Sequence, residues 1–121
     1  MTRQVVYLPE DTPLDEAAQA MRDQGIGDVV VTHGPTIAGI VTDRDIVIRA
    51  IAEGLPPQST TLGEIVTREL IMIEQSATVE DSVRAMRERG VRRLLVCDPD
   101  RKPVGILSLS DVALLPTSAP A

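Results

Sequence analysis

Gly39-Ile40-Val41-Thr42-Asp43-Arg44-Asp45 and Gly105-Ile106-Leu107-Ser108-Leu109-Ser110-Asp111 share one frame, in which a glycine, a hydroxyl residue and an aspartate return at fixed spacing. Working outward, Thr2-Arg3, Ala20-Met21-Arg22, Gly25 and Val31 recur 65 positions later as Thr67-Arg68, Ala85-Met86-Arg87, Gly90 and Val96. The seven-residue frame itself is one further position out of step. A repeat of this length is one supersecondary unit used twice.

Each copy reads as strand, helix, strand, strand, helix. In the first, Val5-Val6-Tyr7-Leu8 is a β-rich run closed by Pro9-Glu10-Asp11. Thr12-Pro13 then opens a helix, with a capping hydroxyl and proline at the first helical position. Leu14, Ala17, Ala18 and Met21 share one face of it, and Gly25 stops it. Strands over 28–32 and 37–41 flank a Gly34-Pro35 turn, and a second helix over 43–53 ends at Gly54. In the second copy the strands fall at 70–73, 93–97 and 103–107, and the long helix at 79–89. A short helix over 62–66 precedes that copy, and its counterpart is missing before the first.

The organisation is therefore a first unit over 1–54, a Pro-rich linker over 55–61, a second unit over 62–116 and a frayed tail over 117–121. The fold class is mixed α+β. Three strands cannot bury both faces alone, so the copies are expected to pack on each other about a pseudo-twofold axis, leaving two quasi-equivalent clefts.

Composition narrows the function. Of 121 residues 43% are apolar, enough for a core, but only Tyr7 is aromatic. Stacking platforms for single-stranded nucleic acid are disfavoured, and a net charge of −6 disfavours phosphate-backbone binding. Cys97 is the sole cysteine, so no internal disulfide and no thiolate metal cluster can form. No apolar run nears the roughly 18 residues of a membrane span, and no signal-peptide pattern opens the chain. The expected compartment is the cytoplasm. A lone His33 in a turn, with no nucleophile–base pair, argues against an enzyme.

Thr12-Pro13-Leu14-Asp15-Glu16-Ala17, Met21-Arg22, Gly25-Ile26 and Gly39 to Ile46, with their second-copy partners, resemble the tandem CBS-domain pair, or Bateman module. Arg49-Ala50 and Glu53-Gly54 extend the likeness to small stand-alone bacterial members. The resemblance covers nearly the whole chain. It implies two βαββα units and a non-catalytic regulatory sensor that binds an adenine nucleotide or adenosyl ligand between the motifs. No cofactor is required, and the bound ligand would be AMP, ADP or ATP. It further implies Asp45 and Asp111 as ribose ligands and Thr42 and Ser108 as hydroxyls touching ribose or phosphate. Arg93, Arg92 and Arg44 are the phosphate candidates. The first copy departs from the basic pair by having Gly27 and Asp28. Such modules often pair, so a homodimer and an unidentified regulated protein are the expected partners.

The same residues carry a physical rationale. A carboxylate accepts from both hydroxyls of a vicinal diol, and guanidinium groups suit bidentate phosphate contact. A helix start offers unpaired N–H groups to a phosphate. Gly39 and Gly105 would let a flat base approach the strand backbone. Arg84, Arg87, Arg89, Arg92 and Arg93 concentrate positive charge in the second copy.

Against this stands a simpler reading. Thr42-x-x-Asp45 and Ser108-x-x-Asp111 also spell capping boxes, as does Thr78-x-x-Asp81 at a helix start where only capping is expected. The alternative function is a ligand-free scaffold for dimerisation or protein interaction.

Overall fold

Val29, Val30 and Val31 are β-branched and fully buried, which makes their strand the centre of a small sheet. The computed structural model describes residues 5–109. Its contacts divide the chain into a first unit, Val6–Arg68, and a second that takes in the residues from Glu69 onward.

The first unit runs β1 (Tyr7–Pro9), α1 (Leu14–Gln24), β2 (Asp28–His33), β3 (Thr36–Thr42), α2 (Asp43–Ile46), a π-helical turn (Val47–Ile51) and α3 (Leu62–Ile65). The second runs β4 (Met72–Glu74), α4 (Val79–Arg89), β5 (Arg93–Cys97) and β6 (Pro103–Ser108). Each sheet has three strands, with β2 or β5 in the middle. The middle strand is parallel to the strand before α1 or α4 and antiparallel to its hairpin partner. This is the mixed α+β architecture expected.

Both hairpins carry a bulge at the same place, Val31/Thr32 and Val96/Cys97. Val31 pairs with Gly39, and Val96 pairs with Gly105. The extra residue that throws the two copies out of step therefore lies in the hairpin turn. Gly34 holds a left-handed φ of 57° in the shorter turn, and Arg101 holds one of 64° in the longer.

In the first unit Leu14, Ala17 and Met21 of α1 pack against Val29, Val31 and Val41, joined by Ile46, Ala50, Leu62 and Ile65. In the second, Val79 and Met86 of α4 pack on Leu94, Val96 and Leu107. Gly25 and Gly90 end the two long helices with φ of 65° and 66°, a conformation that costs a side-chain-bearing residue strain.

Three local expectations change. Thr12 does not cap α1; its N-cap is Pro13, which makes no side-chain cap bond. The first N–H groups instead find carbonyls of the Pro-rich stretch: Leu14 N donates to Thr60 O at 2.9 Å and Asp15 N to Pro57 O at 3.2 Å. That stretch is thus a backbone cap as well as a connection. The short helix α3 follows the linker in sequence, yet Leu62 and Ile65 fill the first unit's core. Finally, the helix after β3 is not one α-helix. After α2 it loosens, and Ala52 N bonds Val47 O at 2.8 Å while Leu55 N bonds Ala50 O at 3.0 Å, both five residues back.

Candidate functional site

The strand ends that follow the two Gly-x-x-hydroxyl frames gather most of the candidate residues. In the first unit Thr42 closes β3 and is buried, and Asp45 lies one turn into α2. Thr42 Oγ1 accepts from Asp45 N at 3.0 Å, and Thr42 N donates to Asp45 Oδ2 at 3.0 Å. Asp45 Oδ1 is left 3.7 Å from Arg49 Nε. A capping box thus uses one carboxylate oxygen and leaves the other beside a guanidinium.

Thr78 and Asp81 make the same box at the start of α4, at 3.1 and 3.2 Å, and Asp81 Oδ1 lies 3.6 Å from Arg84 Nη1. Hydrogen-bond geometry does not separate candidate from control. Burial does: the Asp45 side chain is 18% exposed and that of Asp81 47%. Asp45 thus holds its second carboxylate oxygen, the one beside Arg49, in a more sheltered setting, where charge-assisted bonds gain strength.

Across the hairpin the two units diverge. Asp28 pairs with Thr42 in the β2–β3 register, and Arg93 pairs with Ser108 in the β5–β6 register. An acidic residue is in register with the hydroxyl residue in one unit and a basic residue in the other. Arg93 is half-buried, while Arg92 is exposed and its carbonyl accepts from Leu109 N at 2.8 Å. Gly27 O accepts from Asp43 N at 2.9 Å in the equivalent place. Arg93, Arg92 and Ser108 therefore lie together, and Asp111 lies outside the described residues.

Arg44 is exposed, with its backbone N–H bonded to Asp43 Oδ1 at 2.8 Å. Arg84, Arg87 and Arg89 are exposed along α4. His33 sits at the end of β2 with its Nδ1 against Glu10 Oε1. Cys97 is buried in β5, and that burial pushes its thiol pKa up, partly offset by Arg101.

Two residues carry more than their spacing suggested. Gly39 does not leave room for a base on its Cβ side. A Cβ there would stand 2.1 Å from Thr67 O, because the chain after α3 bridges to Ile40. Arg49 fastens the same crossing, donating from Nη1 to Ile65 O at 2.9 Å and to Thr67 Oγ1 at 2.8 Å. The helix-start argument for phosphate also weakens at α2, which is only four residues long with a capping box already in place.

A separate open cavity of about 560 Å³ lies on the first unit, where Ala18, Met21, Ile26, Ile46 and Val47 form the apolar lining and Arg22 and Asp43 the charged part. Among the described residues no three His, Cys, Asp or Glu side chains gather as metal ligands. Nor is any described helix long and apolar enough to cross a membrane.

Comparison with known proteins agrees with the duplicated architecture. The family model described as CBS domain matches residues 1–51 and 62–116. The CBS domain-containing protein YhcV of Bacillus subtilis is 32% identical over 94% of this chain and 80% of its own length. Hypoxic response protein 1 of Mycobacterium tuberculosis is 34% identical over 93% and 79%. An uncharacterized Methanopyrus kandleri protein is 33% identical, and the chain spans about half of it (53%). A homoserine O-acetyltransferase of Methanosalsum zhilinae is 32% identical, with only 22% of its length covered. Among solved structures, a signal-transduction protein with CBS domains from Burkholderia ambifaria aligns with a TM-score of 0.78 at 29% identity, covering 92% of this chain and 81% of that one. The hypoxic response protein with two coordinated zinc ions aligns at 0.70 and 33%, covering 93% and 92%. A hexameric CBS-CP12 protein from bloom-forming cyanobacteria aligns at 0.80 and 26%, covering 94% and 66%.

Proposed function

This chain belongs to the CBS-domain family, and from that premise we propose that it is a cytoplasmic regulatory module that binds an adenine nucleotide and self-associates as a homodimer. The observation that carries the reading is the pairing of Arg93 with Ser108 at the end of β5–β6, beside Arg92. A guanidinium opposite a hydroxyl suits a phosphate, which accepts from both. On this reading Arg93 and Arg92 hold phosphate in the second unit, Arg44 is the first unit's phosphate candidate, and Ser108 and Thr42 supply hydroxyls. Asp45 offers its remaining carboxylate edge to ribose, and Asp111 is proposed for the same task from its place in the repeat. The ligand works without chemistry by favouring one arrangement of the module toward a regulated protein over another.

A ligand at 100 times its Kd stabilises the fold by about 2.7 kcal/mol. A thermal-shift panel of AMP, ADP, ATP, NAD and S-adenosylmethionine tests this, and at least one should raise Tm by several degrees. Arg93→Ala should remove the response to phosphate-bearing ligands and retain a weak one to adenosine. No shift with any panel member at millimolar concentration overturns the reading.

A ligand-free scaffold is the second reading. It is favoured by Asp28 opposite Thr42, where a phosphate would meet a carboxylate, and by the chain crossing over Gly39. The two readings part on the panel alone.

A further inference from the structure

Arg49 stands on the π-helical turn four residues after Asp45, acid first, which is the favourable order for such a pair. Its hydrogen bonds nevertheless go elsewhere. Both hydrogens of Nη1 are engaged, by Ile65 O at 2.9 Å and by Thr67 Oγ1 at 2.8 Å. Ile65 is the last residue of α3, and a helix end leaves carbonyls that need outside donors. Thr67 is the residue whose backbone bridges Ile40 beside Gly39. The guanidinium therefore cannot turn without vacating two acceptors. Its plane is fixed by the crossing and not by Asp45.

That anchoring decides what Asp45 meets. Arg49 Nε stands 3.7 Å from Asp45 Oδ1, too far for a hydrogen bond and close enough for attraction between charges. Oδ2 is held by Thr42 N at 3.0 Å. One oxygen thus serves the cap, while the other is steadied by charge and keeps its lone pairs clear of the guanidinium. The other charged side chains of α2, Asp43 and Arg44, are exposed. Arg84 is the contrast: it lies 3.6 Å from Asp81 Oδ1 with its side chain 65% exposed, and among the described residues it has no second anchor. In the second copy Leu114 and Leu115 fall where a counterpart of Arg49 would stand.

We propose that Arg49 is a positioning residue of the first unit: braced by Ile65 and Thr67, it holds Asp45 so that both hydroxyls of a ribose reach the carboxylate together, and the site selects ribonucleotides over deoxyribonucleotides. The inference rests on the nucleotide reading above and adds the residue that sets sugar specificity. A vicinal diol makes two charge-assisted bonds only to a carboxylate in one orientation, whereas a single hydroxyl is satisfied by many. A carboxylate fixed beforehand does not lose rotational freedom on binding, so the brace favours the diol in particular.

Calorimetry with AMP and deoxyadenosine monophosphate tests this in full-length chains carrying Asp111→Asn, which removes the second unit's ribose candidate. Circular dichroism checks each fold. These chains should bind AMP about tenfold more tightly than the deoxynucleotide, the effect of one charge-assisted bond. Adding Arg49→Gln should weaken AMP about tenfold and bring the preference to within about twofold. Thr67→Val, which removes one anchor and leaves the cation, should reduce the preference in part, and it decides the matter if Arg49→Gln does not fold. Arg84→Gln should leave the preference whole. A preference that survives Arg49→Gln or Thr67→Val unchanged, or that Arg84→Gln also abolishes, overturns the inference. So does AMP binding that shows no sugar preference or that vanishes with Asp111→Asn, and in those cases the nucleotide reading stands. If AMP binds neither these chains nor the unaltered one, both fail.

Discussion

Replacing Gly39 with alanine separates a crowded backbone crossing from an open seat for a ligand. The added Cβ would stand 2.1 Å from Thr67 O, 2.8 Å from Val66 Cγ2 and 2.9 Å from Thr67 C. Two of these three are backbone atoms, which cannot swing aside. The crossing is held by Ile40 N to Thr67 O at 3.2 Å and Thr67 N to Ile40 O at 3.1 Å. Forcing it off forfeits two hydrogen bonds, about 1 kcal/mol each. Strain in the surrounding packing adds about 1–3 kcal/mol. The expected loss is therefore about 3–5 kcal/mol, a large share of the 5–15 kcal/mol typical of a domain. At roughly 3–6 °C per kcal/mol for a chain this size, Tm should fall by about 10 °C or more.

Gly34→Ala is the control. Nothing lies within 4 Å of its would-be Cβ, so only the left-handed φ of 57° is penalised, by about 1–2 kcal/mol. Urea and thermal unfolding followed by circular dichroism measure both variants. If Gly39→Ala unfolds within about 0.5 kcal/mol of the parent, the crowding argument fails and the space over Gly39 is open. An open seat would lose ligand on that substitution and keep its stability, the opposite pair of results.

The two matched capping boxes give a second comparison. Thr42→Ala and Thr78→Ala should each cost about 1 kcal/mol in urea unfolding. Only Thr42→Ala should also diminish a stabilising response to AMP; equal responses in the two variants would reduce Thr42 to a cap. The raised thiol pKa of Cys97 predicts slow labelling by a disulfide reagent at neutral pH and rapid labelling once unfolded. The sign for stability follows. The folded state keeps the proton longer than the unfolded one, so this contribution is whole below the ordinary thiol range. It is lost as pH rises through the folded pKa. Fast labelling of the folded chain would contradict the burial.

What was legible in the sequence was what depends on near neighbours. The β-branched run of β2, the aliphatic run of β5, the apolar face of α1 and the glycines after α1 and α4 are settled within a few residues. They matched because local preference and packing agree. The π-helical turn was not legible, because a five-residue closure and a four-residue one read alike in a short apolar stretch. The α1 cap came from Thr60 and Pro57, and the Arg49 clasp reached residues 16 and 18 positions away. No spacing rule spans such distances. Gly39 reads in the sequence as room for a flat base, but it is the backbone at Thr67 that comes near, and a glycine does not say which.

The candidate site shows the same division more sharply. Thr42-x-x-Asp45 and Thr78-x-x-Asp81 spell one hydrogen-bond pattern, and both form it. A four-residue spacing encodes those bonds and nothing of the solvent around them. The difference between 18% and 47% exposure for the two aspartates is set by the rest of the fold. So is the residue each hydroxyl meets across its hairpin, Asp28 for Thr42 and Arg93 for Ser108. Duplication copied the Gly-x-x-hydroxyl frame into both units. The residue in register with that hydroxyl differs in charge between the copies, Asp28 in the first and Arg93 in the second, and no spacing within either frame encodes that difference.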